Sequence, residues 1–337
     1  MVRVTALLSL VLAVLVAACG GGDGGGVTRD PVQNVPSENG IRESVQTAAT
    51  PTATEFPPAE GRTLDELSKQ VAPGPSLALA SSVFTSPGDN RMAFGVIAED
   101  GTPVYGPTAV YVAPEPGAPA EGPFVAPADV LMTDARYRSK QAATTQDPFV
   151  AVYGADVKFA DSGKYSVLSV TKRAEGGYVG ATAEIDVSTK DASPVPAVGE
   201  KAPKIHTDTL ESAAGDVSKI DTRQPPSDMH TDFADVVGKK PVALLFSTPQ
   251  LCASRVCGPV TDIALQLQAK YGDQMTFIHQ EVYVDNDVNK GLREPLKQFS
   301  LPSEPWLFVV DSGGTITARL EGSIGVAAFE DAVKSGL

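Results

Sequence analysis

Apolar positions follow three regimes along the chain. Over residues 6–16 they form one short stretch, interrupted only by Ser9, behind a single basic residue, Arg3, and too short to span a bilayer comfortably. Residues 20–62 are rich in Gly, Pro, Ser, Thr and Ala, and bulky apolar side chains are sparse. Such a segment buries too little surface to offset its ordering entropy, so a disordered tether is predicted, with a short helix over 63–71. From residue 73 to 189 the pattern becomes short β-type runs at 77–84, 92–97, 109–113, 149–153, 164–170 and 178–187, separated by Gly, Pro and Asp turns. That regular spacing predicts an antiparallel sandwich, with the Pro/Ala/Gly-rich stretch 114–127 as an inserted loop.

A Pro-rich boundary at 191–199 introduces a different alternation. Residues 242–246 are continuously apolar, as in a strand buried on both faces. Val260, Ile263, Ala264, Leu267 and Tyr271 fall on one helical stripe. A strand over 276–284 follows, then a second helix marked by Leu292, Leu296 and Phe299. Two strands, 306–310 and 316–320, are joined by Asp311-Ser312-Gly313-Gly314, a hairpin signal. Ser323 is a candidate N-cap for a last helix carrying Val326, Phe329 and Val333, with Gly336 near its end. The predicted order is β-α-β-α-β-β-α. The fold class is therefore multidomain, an all-β sandwich followed by an α/β unit.

At 337 residues there is room for both units. A formal net charge of −14 argues against nucleic-acid partners, which require a basic surface. Three cysteines are too few for a Cys₄ zinc site. The first of them follows Val16-Ala17-Ala18 and precedes a glycine-rich run. This context resembles the bacterial lipobox, which implies cleavage before Cys19, diacylation of Cys19 and anchoring to the outer face of the cell membrane, in a disulfide-permissive compartment. The predicted organisation is a signal peptide over 1–18, a tether over 19–72, a β-sandwich over 73–190 and an α/β domain over 191–337. Within the sandwich, Asp161-Ser162-Gly163-Lys164-Tyr165 resembles the Asp-x-Gly-x-Tyr corner of immunoglobulin-like domains, although Val167 stands where a cysteine often follows.

With Cys19 assigned to lipid, Cys252 and Cys257 remain as one pair. The α/β order, the Gly199–Pro203 context, Cys257-Gly258-Pro259 and Glu304-Pro305-Trp306 together resemble a thioredoxin-like, redoxin-type domain over roughly 197–337. That resemblance implies thiol–disulfide exchange with extracytoplasmic thiol or disulfide proteins, no cofactor, and a cis-proline at Pro305 opposite the reactive thiol. The pair here is spaced Cys-x₄-Cys, whereas the family's second cysteine would fall at Val260. Residues five apart in a regular helix lie about 8.6 Å apart, beyond disulfide reach. Pro259 is favoured in a first helical turn, so the helix is predicted to start at Gly258–Pro259, with Cys257 near its N-cap and Cys252 in the preceding loop. The helix N-terminus and Arg255 would then favour a Cys257 thiolate, making Cys257 the attacking thiol and Cys252 the resolving one. Glu304 beside Pro305 is unusual, and its carboxylate would oppose thiolate formation, accept a proton or simply be solvated. Two other readings stand beside this one: a structural disulfide in a partner-binding envelope lipoprotein, and a copper-binding protein using the thiols with His206, His230, His279 and Met229. No metal ligand is assigned from sequence.

Overall fold

The computed structural model describes residues 30–144 and 149–337. The expected signal peptide and the lipidation site Cys19 lie outside the described residues. Among the described residues no helix is long and apolar enough to cross a membrane.

The first unit holds ten strands: β1 (Ala72–Pro73), β2 (Ser76–Leu79), β3 (Phe84–Ser86), β4 (Gly88–Ile97), β5 (Thr108–Ala113), β6 (Glu121–Val125), β7 (Ala128–Val130), β8 (Ala151–Phe159), β9 (Gly163–Lys172) and β10 (Tyr178–Thr189). They form two sheets, one ordered β1-β10-β9-β5-β6 with β3 also on β10, the other β2-β4-β8-β7. Val110, Val112 and Val167 of the first sheet share a core with Met92, Phe94, Val152 and Val157 of the second. Alternation along each strand produces this, since successive side chains point to opposite faces.

Two sequence expectations change here. The stretch 114–127 is not wholly a loop, because it contains β6. This strand carries Pro123 and sits at the sheet edge, where a missing N–H is tolerated. The expected tether is ordered from residue 30 onward. It includes helices α1 (Ile41–Ala48) and α2 (Leu64–Ser68). Its few apolar residues each find prepared surface: Val32, Val35, Val45 and Ala48 join the sandwich core. Phe56, Ala59, Leu64 and Leu67 cover Ala109, Tyr111, Leu168 and Val170 on the outer sheet face. Glu55 and Pro57 accept hydrogen bonds from the Tyr178 and Tyr111 hydroxyls, both at 2.6 Å, fixing the strap in place.

The second unit contains α3 (Phe233–Val236), β11 (Val242–Phe246), α4 (Cys257–Tyr271), β12 (Thr276–Gln280), α5 (Glu294–Gln298), β13 (Trp306–Val310), β14 (Ile316–Glu321) and α6 (Val326–Ser335). The sheet order is β12-β11-β13-β14; β11 and β12 are parallel, and the other pairs are antiparallel. This is the topology of a thioredoxin-like fold. Strand alternation on β11 sends Ala243 and Leu245 toward α4 and α6. Val242, Leu244 and Phe246 face the other side, with Phe233, Leu296 and Phe299. The second strand ends at Gln280, short of the expected 284, and gives way to a 3₁₀ turn at Val284–Asn286.

The units share apolar core, since Val130 and Leu131 cluster with Leu307, Val309 and Val333. Polar contacts reinforce the junction. Glu321 accepts Ser82 N and Val83 N, each at 2.9 Å, and Ser82 Oγ at 2.6 Å. The N-cap of α6 is Gly325 rather than Ser323, and it offers no side chain. Asp129 of β7 supplies the missing acceptors, taking Ala327 N and Ala328 N at 2.9 Å each. A cavity of about 1050 Å³ lies at this junction between Arg91, Asp129, Asp156 and Asp331, and no cysteine lines it.

Candidate active site

Strand β11 runs into Ser247-Thr248, and the chain turns back before α4. Cys252 N donates to Thr248 O at 3.2 Å and Arg255 N donates to Cys252 O at 3.1 Å. Arg255 takes a left-handed conformation, φ 60°, that brings the chain into the helix. α4 then begins at Cys257, with Pro259 in its first turn, where the absent N–H is harmless. Gly258 is dictated by approach: a Cβ there would run into the Gln141 carbonyl oxygen from the sandwich unit. Cys252, Val256 and Cys257 form a small apolar cluster of their own. Both cysteines are free thiols.

Their environments differ. Cys252 retains 8% exposure and its thiol is lowered to about 6. The first cause is a hydrogen bond from the Cys257 thiol, which outweighs burial; the Ser254 hydroxyl, 3.2 Å from Sγ, adds to it. Cys257 has no exposed surface and its thiol lies well above the ordinary range, first because burial penalises the anion and then because it serves Cys252 as donor. The expected order of acidity is therefore reversed. A helix N-terminus is worth at most about 2 kcal/mol to an anion, and here full desolvation exceeds it.

The Glu304–Pro305 peptide is cis and lies beside the pair. Glu304 is half-buried, and burial raises its carboxyl. Its charge raises both thiols, so of the two roles expected for it, opposition to the thiolates is the one the electrostatics display. Tyr283 donates its hydroxyl to Glu304 Oε1 at 3.3 Å; burial and Glu304 push that phenol up to about 12. Sequence reading missed Tyr283 and Ser254. Neither stands in a spacing that marks it, because both reach the site from irregular backbone.

The three histidines separate. His206 is exposed and pairs with Asp232 at 2.6 Å. His230 and His279 converge on Asp221, at 3.2 and 3.5 Å. Burial alone would lower His279, but Asp221 prevails and raises it to about 9. The Asp221 carboxyl, despite burial, is held well below its ordinary range by the His279 charge and hydrogen bonds from His230 and Ser227. The set expected for copper, with His206, is thus not assembled.

No family model matches the chain, and no curated protein matches it. Among solved structures, it is similar to a Chlorobium tepidum protein assigned as a thiol:disulfide interchange protein DsbE. That likeness has 16% identity over 42% of this chain and 97% of that one, with a TM-score of 0.31. A thiol:disulfide interchange protein of the thioredoxin family from Chlorobium tepidum TLS is similar at 16% identity over 42% of this chain and 99% of that one, with a TM-score of 0.28.

Proposed function

We propose that this protein is an extracytoplasmic, lipid-anchored thiol–disulfide oxidoreductase in which Cys252 attacks and Cys257 resolves. The observation that carries the reading is the asymmetry of the pair, one thiol lowered to about 6 by the other, which burial keeps protonated. In the reaction the Cys252 thiolate attacks one sulfur of a partner disulfide, and the other partner sulfur leaves as thiolate. Cys257 then loses its proton and attacks Cys252 Sγ. The second partner thiolate leaves, the Cys252–Cys257 disulfide forms, and two electrons have passed to the partner. The reverse sequence oxidises a dithiol. The sandwich is a spacer and docking unit; its immunoglobulin-like reading is supported by the Tyr165 hydroxyl, which donates to Asp161 O at 3.2 Å as a tyrosine corner does.

The test is alkylation and trapping with single-cysteine variants. Cys257→Ser is expected to react with iodoacetamide near neutral pH and to accumulate mixed disulfides, while Cys252→Ser reacts slowly below the ordinary thiol range. The pair in the wild type should titrate well above the roughly −300 mV of structural disulfides. Slow reaction by both variants, with a pair that stays oxidised below that potential, would leave a structural disulfide as the role. Anchoring is tested separately: Cys19→Ala should leave the protein unprocessed or released, because durable attachment needs two acyl chains. Membrane retention of processed Cys19→Ala would remove the lipid anchor from the proposal.

A further inference from the structure

Beneath the cysteine loop lies a buried cluster that the thiol reaction does not use. Asp221 and His230 come from the long stretch 203–232, which has little regular structure, and His279 comes from β12. We propose that Asp221, His230 and His279 bind one divalent transition-metal ion of the zinc class, a site that is independent of the redox reading.

The donor atoms are Asp221 Oδ2, His230 Nε2 and His279 Nδ1, all within 4.8 Å of one another. Two of the three separations, 3.2 and 3.5 Å, already match the roughly 3.3 Å between tetrahedral ligands on bonds of about 2.0–2.1 Å. The proton on the other His279 nitrogen is held in place, so a metal would take the place of the Nδ1 proton. Nε2 lies 3.0 Å from Ser247 O, and a carbonyl only accepts, so Nε2 carries the proton. Nδ1 points toward Asp221 without completing a hydrogen bond, although its side chain is fully buried. A ring N–H on a backbone carbonyl is the usual orienting contact of a metal-bound imidazole.

The carboxylate is equally well held. Asp221 Oδ2 accepts Ser227 N at 2.7 Å and Ser227 Oγ at 2.8 Å, and Oδ1 accepts Arg223 N at 2.8 Å. Charge points the same way. Glu281 follows the end of β12, two residues after His279, and is fully buried. Its Oε1 is taken by Thr222 N and Oγ1, at 2.7 and 2.6 Å, while Oε2 has no partner. The neighbouring cation, Arg223, directs Nε to Asp262 at 2.8 Å instead. Two buried carboxylates, one with an orphaned oxygen, favour a dication. Two imidazoles with carboxylate suit zinc; copper(I) prefers sulfur, and magnesium and calcium prefer all-oxygen shells. Bound there, the ion would pin the 203–232 stretch to the sheet. The Cys252 loop leans on that stretch through Gln250 N to Thr222 Oγ1 at 3.2 Å.

The experiment titrates chelator-treated full-length protein with Zn(II) by calorimetry and with Co(II) by absorption, in the wild type and in Cys252→Ser/Cys257→Ser. One equivalent is expected in both, with a four-coordinate cobalt spectrum lacking thiolate charge transfer. His230→Gln and Asp221→Asn should each weaken Zn(II) binding at least about tenfold. Absence of a stoichiometric site in the wild type overturns the proposal. So does a thiolate band in the cobalt spectrum, or affinity unchanged in both His230→Gln and Asp221→Asn. The wild-type titration decides even if a variant fails to fold.

Discussion

At the scale of single residues, the thiol pair shows how burial competes with position. Cys257 occupies the first turn of a fifteen-residue helix, where the backbone favours an anion. It is also wholly enclosed, and enclosure prevails. Cys252 gains what Cys257 loses, because a protonated neighbour is a hydrogen-bond donor. Glu304 works against both thiolates. Glu304→Gln keeps the shape and removes the charge, so the alkylation midpoint of Cys252 should fall below about 6 by a few tenths of a unit to about one unit. The pH dependence of iodoacetamide labelling, followed by mass spectrometry, measures this. An unchanged or raised midpoint would show that the carboxylate does not act on the pair. The Cys-x₄-Cys spacing, Pro259 and Glu304 were all readable from sequence. The order of acidity was not, because it depends on which side of the first turn faces the core.

At the scale of elements, what could be read was what is local. Period-two runs marked most strands of the sandwich, and the Val260–Tyr271 stripe marked α4, because each signal resides within its own segment. What failed depended on partners far along the chain. β6 was hidden by Pro123, acceptable only because β5 leaves an edge beside it. The ordered strap 30–72 has few apolar residues, and its order rests on apolar sheet face already waiting for them. The cap of α6 was assigned to Ser323 because local chemistry favoured it, yet Asp129, almost two hundred residues earlier, does the capping. Asp129→Ala should therefore destabilise the protein by about 1–2 kcal/mol, the range for losing a cap acceptor, read as a lower denaturant midpoint. Ser323→Ala should cost less, since no cap is lost with its hydroxyl. A larger loss in Ser323→Ala would reverse this assignment.

At the scale of the whole molecule, the two units are joined as neighbours within one core. Val130 and Leu131 belong to one buried cluster with Leu307, Val309 and Val333, and α6 lies against β7, so separation would expose apolar surface on both sides. Around that seam, Glu321 holds Ser82 and Val83, Arg91 Nη2 donates to Ser323 O at 3.0 Å, and Asp262 accepts both Ser139 N at 2.9 Å and Arg223 Nε at 2.8 Å. The Ser139 contact ties the 134–144 segment to α4, five residues after Cys257. The seat of the thiol pair is thus partly built by the sandwich, which is why Gly258 meets Gln141. Linked cores of this kind should unfold together. Trp306 is the single tryptophan, buried in β13, and reports the thioredoxin-like unit together with Val83 of the sandwich, which packs against the same cluster; far-UV circular dichroism is weighted toward the ten strands of the sandwich. In a urea titration the two probes should give coincident transitions. Removing Asp129 should move both midpoints together. Two separated transitions, with only the Trp306 signal responding to Asp129→Ala, would mean that each unit is stable alone and that the junction only orients them.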